Sequence, residues 1–264
     1  SEVDVSDFGV PDDGPEVWPV KPIPPLYELR TTLEKAMRDT KRMPQVVVVG
    51  GGPTGSELAA NLAGLAQRHD IRPKVLLVSS SPRLLPDAPA GASHAMSRVL
   101  EEYPVEVRTN TQVVSIGNKA VELDNGNHID CDHVLVAIGL KAKQLTRELG
   151  LSASESGLRV NVHMHSVDDP RVYAAGDCAD FSQRELPKLG VFGVKAAQVI
   201  HDNLIASIKG EPLKIYKPQQ VWLAILNLGN GRGLLTWSRF WWLGRSSYWL
   251  KDWIDRRFMA RYQD

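Results

Sequence analysis

The sequence predicts an α/β protein: a three-layer domain on a parallel sheet with an antiparallel excursion, then a shorter second region and a C-terminal α+β segment. Three observations carry this. Val46–Val49 is an unbroken apolar run, as expected of a strand buried on both faces of a parallel sheet. It ends in Gly50-Gly51-Gly52-Pro53-Thr54-Gly55 and passes into an Ala-rich amphipathic helix from Ser56 through Leu65. Further on, Lys74–Val78 and Asp132–Leu140 read as buried strands, and between them Val105–Ile129 alternates apolar and polar residues.

Taken in order, residues 1–25 carry six prolines and read as an extended connector rather than a packed element. Leu26–Arg42 has Leu26, Leu29, Leu33 and Met37 at helical spacing; Thr31 and Glu34 are placed as a capping box, with an earlier start of the helix as the alternative. The strand–glycine–helix unit follows, then the strand Lys74–Val78 and a helix over Ala92–Tyr103. Gly117-Asn118 and Asn125-Gly126 break the alternating stretch into hairpins. Val172–Asp177 reads as a short strand ending in small residues and an acid, and Leu189–Ser207 as a long apolar helix. Near the end, Val221–Leu228 and Gly233–Trp237 flank Gly229-Asn230-Gly231 as a hairpin. The closing stretch Tyr248–Tyr262 fits an amphipathic helix with Trp249, Leu250, Trp253, Ile254 and Phe258 on one face. The predicted organisation is a connector and helix over 1–43, a nucleotide-binding domain over 44–155, a further region over 156–215, and a hairpin and helix over 216–264.

Composition narrows the function classes. Among 264 residues, 31 Lys and Arg balance 31 Asp and Glu, which argues against a nucleic-acid surface. Cys131 and Cys178 are the only two cysteines and stand far apart, so a disulfide scaffold is not expected and a reducing, cytoplasmic setting fits. The acidic, proline-rich start is not expected to act as a signal peptide, and no apolar run reaches the length of a membrane span. Five of the seven tryptophans lie between Trp237 and Trp253, so residues 237–264 are expected to pack on the fold or a second copy, or to touch a membrane surface peripherally.

The glycine turn is the chemical centre. Gly50 permits the tight exit from the strand, Gly52 leaves room for a pyrophosphate against the backbone, and Gly55 lets the helix pack on the sheet. The helix start then offers free N–H groups and a favourable dipole to the phosphates of a nicotinamide dinucleotide. After the second strand come Ser79, Ser80, Ser81, Pro82 and Arg83, where an acid would grip the ribose hydroxyls of NAD. No acid appears until Asp87, and serines with Arg83 suit a 2′-phosphate at least as well, so the coenzyme is open with a lean to NADPH. Gly176 and Asp177 form a second candidate, since small residues admit a ligand and a carboxylate can accept hydrogen bonds from its hydroxyls. His163 and His165 would share one strand face but lack further ligands, so no metal site is expected.

Two stretches, VVVVGGGPTGSELA and VYAAGDCA, resemble the FAD-dependent pyridine nucleotide–disulfide oxidoreductase superfamily, and more closely its type II NADH dehydrogenase-like branch. The tail, KPQQVWLAILNLGNG followed by WLKDWIDRRFMARY, is similar to the reductase module fused to selenide, water dikinase. The resemblance implies that Gly50, Gly52, Pro53, Thr54 and Gly55 hold NAD(P)H and that Glu57, two residues into the helix, sits toward the nicotinamide. It implies that Gly139 borders that cleft, that Gly176 and Asp177 hold the FAD ribityl chain, and that Val191–Lys195 faces the flavin. It also implies a first FAD half before Val46, about a hundred residues, of which this chain shows no sign. FAD binding by this chain alone is therefore an open expectation. No C-x4-C pair is present, so disulfide reduction is not expected, and no residue names the electron acceptor.

Overall fold

A computed structural model describes residues 3, 5, 8, 9, 11, 14–117 and 119–260. The chain divides into two compact units: Val5–Ile138 together with the segment from Leu223 onward, and Gly139–Trp222.

The first unit starts with strand β1 (Glu16–Pro19) and helix α1 (Pro24–Thr40). Then come β2 (Val46–Val49), α2 (Pro53–Arg68), β3 (Val75–Val78), α3 (Ala90–Glu102) and β4 (Glu106–Arg108). An antiparallel meander, β5 (Val113–Gly117), β6 (Ala120–Leu123) and β7 (His128–Asp130), precedes β8 (His133–Val136). Five strands pair in parallel in the order β1-β8-β2-β3-β4. Val46, Val48, Val75, Leu77 and Leu135 face a core shared with α1, α2 and α3. The alternate residues Val47, Leu76 and Val134 are as deeply buried, so the sheet is covered on both sides, and the meander carries the buried Ile116, Val121 and Leu123. This is the expected three-layer α/β architecture.

The proline-rich start departs from its reading as an unpacked connector. Glu16–Pro19 forms the edge strand β1 and runs parallel to β8, with Val17 opposite Val134. Proline is tolerated because it ends an edge strand. Trp18 Nε1 donates to Nδ1 of the buried His133, 3.3 Å away. Helix α1 starts at Pro24, so Thr31 and Glu34 lie in its interior; Thr31 Oγ1 donates to the Tyr27 carbonyl and Glu34 pairs with Arg30. Asn118, half of the first expected hairpin turn, lies outside the described residues.

In the second unit a short helix α4 (Leu145–Glu148) leads to β9 (Ala153–Ser154) and β10 (Gly157–Val160). A 3-10 turn at Gly176–Cys178 then opens β11 (Ala179–Phe181), and α5 (Gly190–Lys209) follows. The order β11-β10-β9 mixes one parallel and one antiparallel pairing. The expected strand at Val172–Asp177 reduces to a single bridge between His165 and Tyr173. His163 lies in a turn and His165 at that bridge, so the two do not share the face of a regular strand; their rings stack 6.0 Å apart. Asn203 of α5 is fully buried and satisfied: its amide donates to the His163 and Lys214 carbonyls, and its oxygen accepts from Lys214 N–H.

The last segment rejoins the first unit as a three-stranded antiparallel sheet, β12 (Leu223–Asn227), β13 (Gly233–Trp237) and β14 (Phe240–Gly244), closed by α6 (Arg245–Met259). The hairpin reading missed β14. Leu226, Leu228 and Leu234 enter the core shared with α2 and α3, and Tyr103 donates its hydroxyl to the Leu228 carbonyl. Residues 261–264, including the expected end of the last helix at Tyr262, lie outside the described residues. Of the expected apolar face of α6, only Ile254 is partly covered. Ser247, Tyr248, Lys251 and Ile254 are the more covered positions, while Trp249 and Trp253 are 68% and 58% exposed. The cause is at Gly233, which lacks a side chain where the backbone of Ser247 and Tyr248 crosses the sheet. Among the described residues no helix is long and apolar enough to cross a membrane.

Replacing Asn203 with Ala leaves two carbonyls and one N–H without their side-chain partner. A loss of about 2–4 kcal/mol is expected, read as a lower urea midpoint at unchanged slope.

Candidate functional site

Strand β2 delivers the chain into the turn at the C-terminal end of the parallel sheet. Gly50 N–H donates to the Val78 carbonyl at 2.8 Å. Its φ is +119°, and a side chain there would meet the Ala137 carbonyl oxygen at 2.5 Å. Gly55 is tighter: a Cβ would collide with the Gly50 carbonyl oxygen. The first turn of α2 therefore sits directly over the end of β2, as close as glycine allows.

Gly52 differs from both. It is the N-cap of α2, has an ordinary φ of −71°, and a Cβ would meet nothing within 4 Å. Pro53 follows at N1, where a missing N–H costs nothing. Among the described residues no side chain caps the helix, and its first turn holds no acid, so the amide donors and the positive end of the dipole stay available to an anion. Pro53 and Thr54 are exposed at this mouth. This open backbone beside a tight strand–helix contact fits a dinucleotide pyrophosphate.

Next to the turn is a cavity of about 380 Å³, lined by Gly50, Val49, Val78, Ser80, residues 111–114, Ile138 and Phe8. Sequence reasoning did not find Phe8, because nothing in a proline-rich start signals a side chain at this mouth. Ser79 is buried beneath Gly51 and accepts from Ser81 N–H at 3.3 Å. Arg83 folds back on its own loop, where Nη2 donates to the Pro86 and Ala88 carbonyls. Its Nη1 is buried with no hydrogen-bond partner among the described residues.

Glu57 lies deeper in the helix than the sequence reading put it. The helix starts at Pro53 rather than Ser56, so Glu57 lies beyond the first turn. Its Oε1 accepts from Asn227 N–H at 2.7 Å. Asn61 donates to the Asn227 carbonyl one turn later, at 2.8 Å. Together they clasp β12 to the helix that carries the glycine turn. Burial pushes the Glu57 carboxyl above its ordinary range, opposed by the Asn227 hydrogen bond.

The second unit gathers a different set. Gly176 has φ +68° and packs against Gly193 of α5; a Cβ on Gly193 would stand 3.0 Å from the Gly176 Cα. The turn bearing Asp177 thus meets the start of α5 without intervening side chains. Lys188 Nζ ties the turn down, donating to the Asp177 carbonyl at 2.8 Å and to the Ser156 carbonyl, and burial lowers its pKa. Sequence reasoning missed Lys188 because its partners are carbonyls, which leave no mark in a motif. Lys195 Nζ is held by Gln219 Oε1. Gly139 is exposed and opens this unit. Cys178 is exposed; burial pushes the Cys131 thiol of the first unit up to about 12.

A parallel sheet with a glycine-entered helix at its C-terminal edge is the arrangement found in dinucleotide-binding α/β folds. The family model for pyridine nucleotide-disulphide oxidoreductases matches residues 22–200, and the chain belongs to that family. It is 33% identical over 178 residues to the nitric oxide reductase FlRd-NAD(+) reductase of Vibrio vulnificus (strain CMCP6), covering 65% of this chain and 44% of that protein. It is 28% identical over 186 residues to the type II NADH:quinone oxidoreductase of Haemophilus influenzae (strain ATCC 51907 / DSM 11121 / KW20 / Rd), covering 65% and 42%. The fold matches the crystal structure of reduced Bacillus anthracis CoADR-RHD with a TM-score of 0.65 at 19% identity, over 85% of this chain and 39% of that one. The chain spans about half the length of the curated relatives it matches.

A carboxyl whose pKa is raised by folding stabilises the fold below its unfolded value, and that contribution is lost as pH rises through the folded value. Stability is therefore expected to decline as pH rises above the ordinary glutamate value of 4.5. The variant Glu57→Gln should flatten that decline. Urea midpoints of both proteins between pH 4 and pH 7 check it, and parallel curves would contradict it.

Proposed function

We propose that this chain is the nicotinamide-dinucleotide half of an NAD(P)H-dependent, FAD-containing oxidoreductase, close to the type II NADH dehydrogenase-like branch. The observation that carries the reading is the open, uncapped start of α2 at Gly52. Family membership supports it, since the family typically binds FAD and NAD(P)H. The amides of the first turn of α2 hold the pyrophosphate, and the cavity beside Gly50 receives the adenosine end. Ser79, Ser80 and Ser81 supply no acid against a 2′-phosphate, and Arg83 is engaged by its own loop, so both coenzymes are admitted.

With both cofactors bound, the chemistry supplied is hydride transfer from nicotinamide to flavin. The part of this chain is positioning. Asp177, on the turn braced by Lys188, would accept hydrogen bonds from the flavin ribityl hydroxyls, and the start of α5 would lend its dipole to negative charge on the flavin. Without a bound flavin the chain is a binding module for NAD(P)H that does not turn over. A purified chain that takes up added FAD and turns yellow supports the flavoprotein reading. One that binds NADH but stays colourless supports the binding module.

Gly52→Ala tests the central observation. It adds a methyl group in open space at an unstrained φ, so the fold should keep its melting temperature. The methyl group would occupy the phosphate's place, and the affinity for NADH, followed by nicotinamide fluorescence, should fall about tenfold or more. Unchanged affinity would count against the site.

A second reading rests on the exposed Trp249 and Trp253, with Arg257 lying 5.5 Å over the Trp253 ring. Aromatic side chains beside arginine suit the headgroup region of a bilayer. Co-sedimentation with anionic liposomes, lost in Trp249→Ala/Trp253→Ala, is the outcome this reading expects.

A further inference from the structure

A cleft of about 750 Å³ lies at the N-terminal ends of β2, β3 and β4. Gln45, Lys74 and Val105 immediately precede these strands and line it. At a rise of roughly 3.3 Å per residue along four-residue strands, it lies on the order of 13 Å from the glycine turn, at the opposite edge of the sheet. It is a separate place, made entirely within the first unit.

Its border is basic. Lys41, Arg42, Arg72 and Lys74 all line it, and all four are exposed. None of the four side chains has a hydrogen-bond or ion-pair partner among the described residues. Other cations of this unit do have acidic partners, among them Arg30 with Glu34, Arg108 with Glu106 and Arg232 with Glu102. Of the two acids at the cleft, Glu106 is already engaged by Arg108, which leaves Glu101 against four cations. The floor is apolar: Met43, Val75 and Val105 are buried and Ile71 is half-buried. The backbone of Lys41 is the left-handed C-cap of α1, its N–H donating to the Met37 carbonyl at 3.1 Å.

Four like charges around a concave, low-dielectric floor repel one another and focus a positive potential into the cleft. A multiply charged anion reverses that cost. Two guanidinium groups add planar forks that match phosphate oxygens, and the volume lies within the usual range for small-molecule sites. We propose that this cleft binds a small organic polyphosphate of nucleotide size. Its phosphates lie on Arg42, Arg72 and Lys74 with Lys41 in support, and its apolar ring lies on Met43 and Ile71. A nucleic-acid strand fits less well, because the chain carries no net charge.

The test uses the whole chain with ATP and inorganic tripolyphosphate as probes, read by calorimetry and amide hydrogen exchange. ATP is expected to protect residues 41–45, 71–75 and 101–106, and tripolyphosphate to bind more weakly because it cannot use the floor. In Arg72→Gln/Lys74→Gln, ATP affinity should fall about tenfold or more, with melting temperature and NADH affinity unchanged. Three results would overturn the proposal: no ATP uptake at millimolar concentration, protection confined to residues 50–56, or equal ATP affinity in the double variant. Binding of a single-stranded oligonucleotide more tightly than ATP, lost in the same variant, would also overturn it.

Discussion

The close approach of Gly55 to the Gly50 carbonyl is the constraint on which the rest of the first unit depends. No side chain fits between the end of β2 and the first turn of α2. The contact fixes the helix axis over the strand and aims its free amides past Gly52 into open space. A longer approach would place the same amides elsewhere and weaken a dipole effect that fades within one turn. Tight packing at two glycines and open space at the third are thus one arrangement, in which backbone and not side chains forms the site.

The C-terminal sheet reinforces that arrangement from behind. Glu57 and Asn61 both reach Asn227, Arg68 donates to the Gly229 carbonyl, and Gly229 passes α2 where only a glycine fits at φ +77°. A region that reads in sequence as an appendage is therefore a brace on the helix that carries the glycine turn. This gives Glu57 a structural employment with an electrostatic consequence: a partly buried carboxyl held in the fold by one backbone N–H. In the second unit the same logic recurs, with Gly176 against Gly193 and Lys188 pinning the turn that bears Asp177.

The parts readable in the sequence were those with a local signature. Val46–Val49, the glycine run and the amphipathic start of α2 announce themselves by composition and spacing, and the family resemblance rests on the same residues. What was not readable was set by partners far along the chain. Strand β1 exists because β8 offers it an edge, and prolines around it hide the pairing. The inward face of α6 is chosen by a glycine in β13 rather than by its own apolar stripe, so its tryptophans face outward. Arg83 looks like a phosphate ligand by position, yet its loop doubles back and supplies carbonyls to its guanidinium. The basic cleft at the other edge of the sheet draws on three separate stretches of chain, and no window of sequence joins them.

The most direct measurement is a titration of the isotopically labelled chain with NADH, followed through the backbone amide resonances of Gly52, Thr54, Gly55 and Ser56. These four should move together along one saturable curve, with smaller shifts on the far side of the sheet. A well-folded sample in which NADH leaves all four in place would contradict the account.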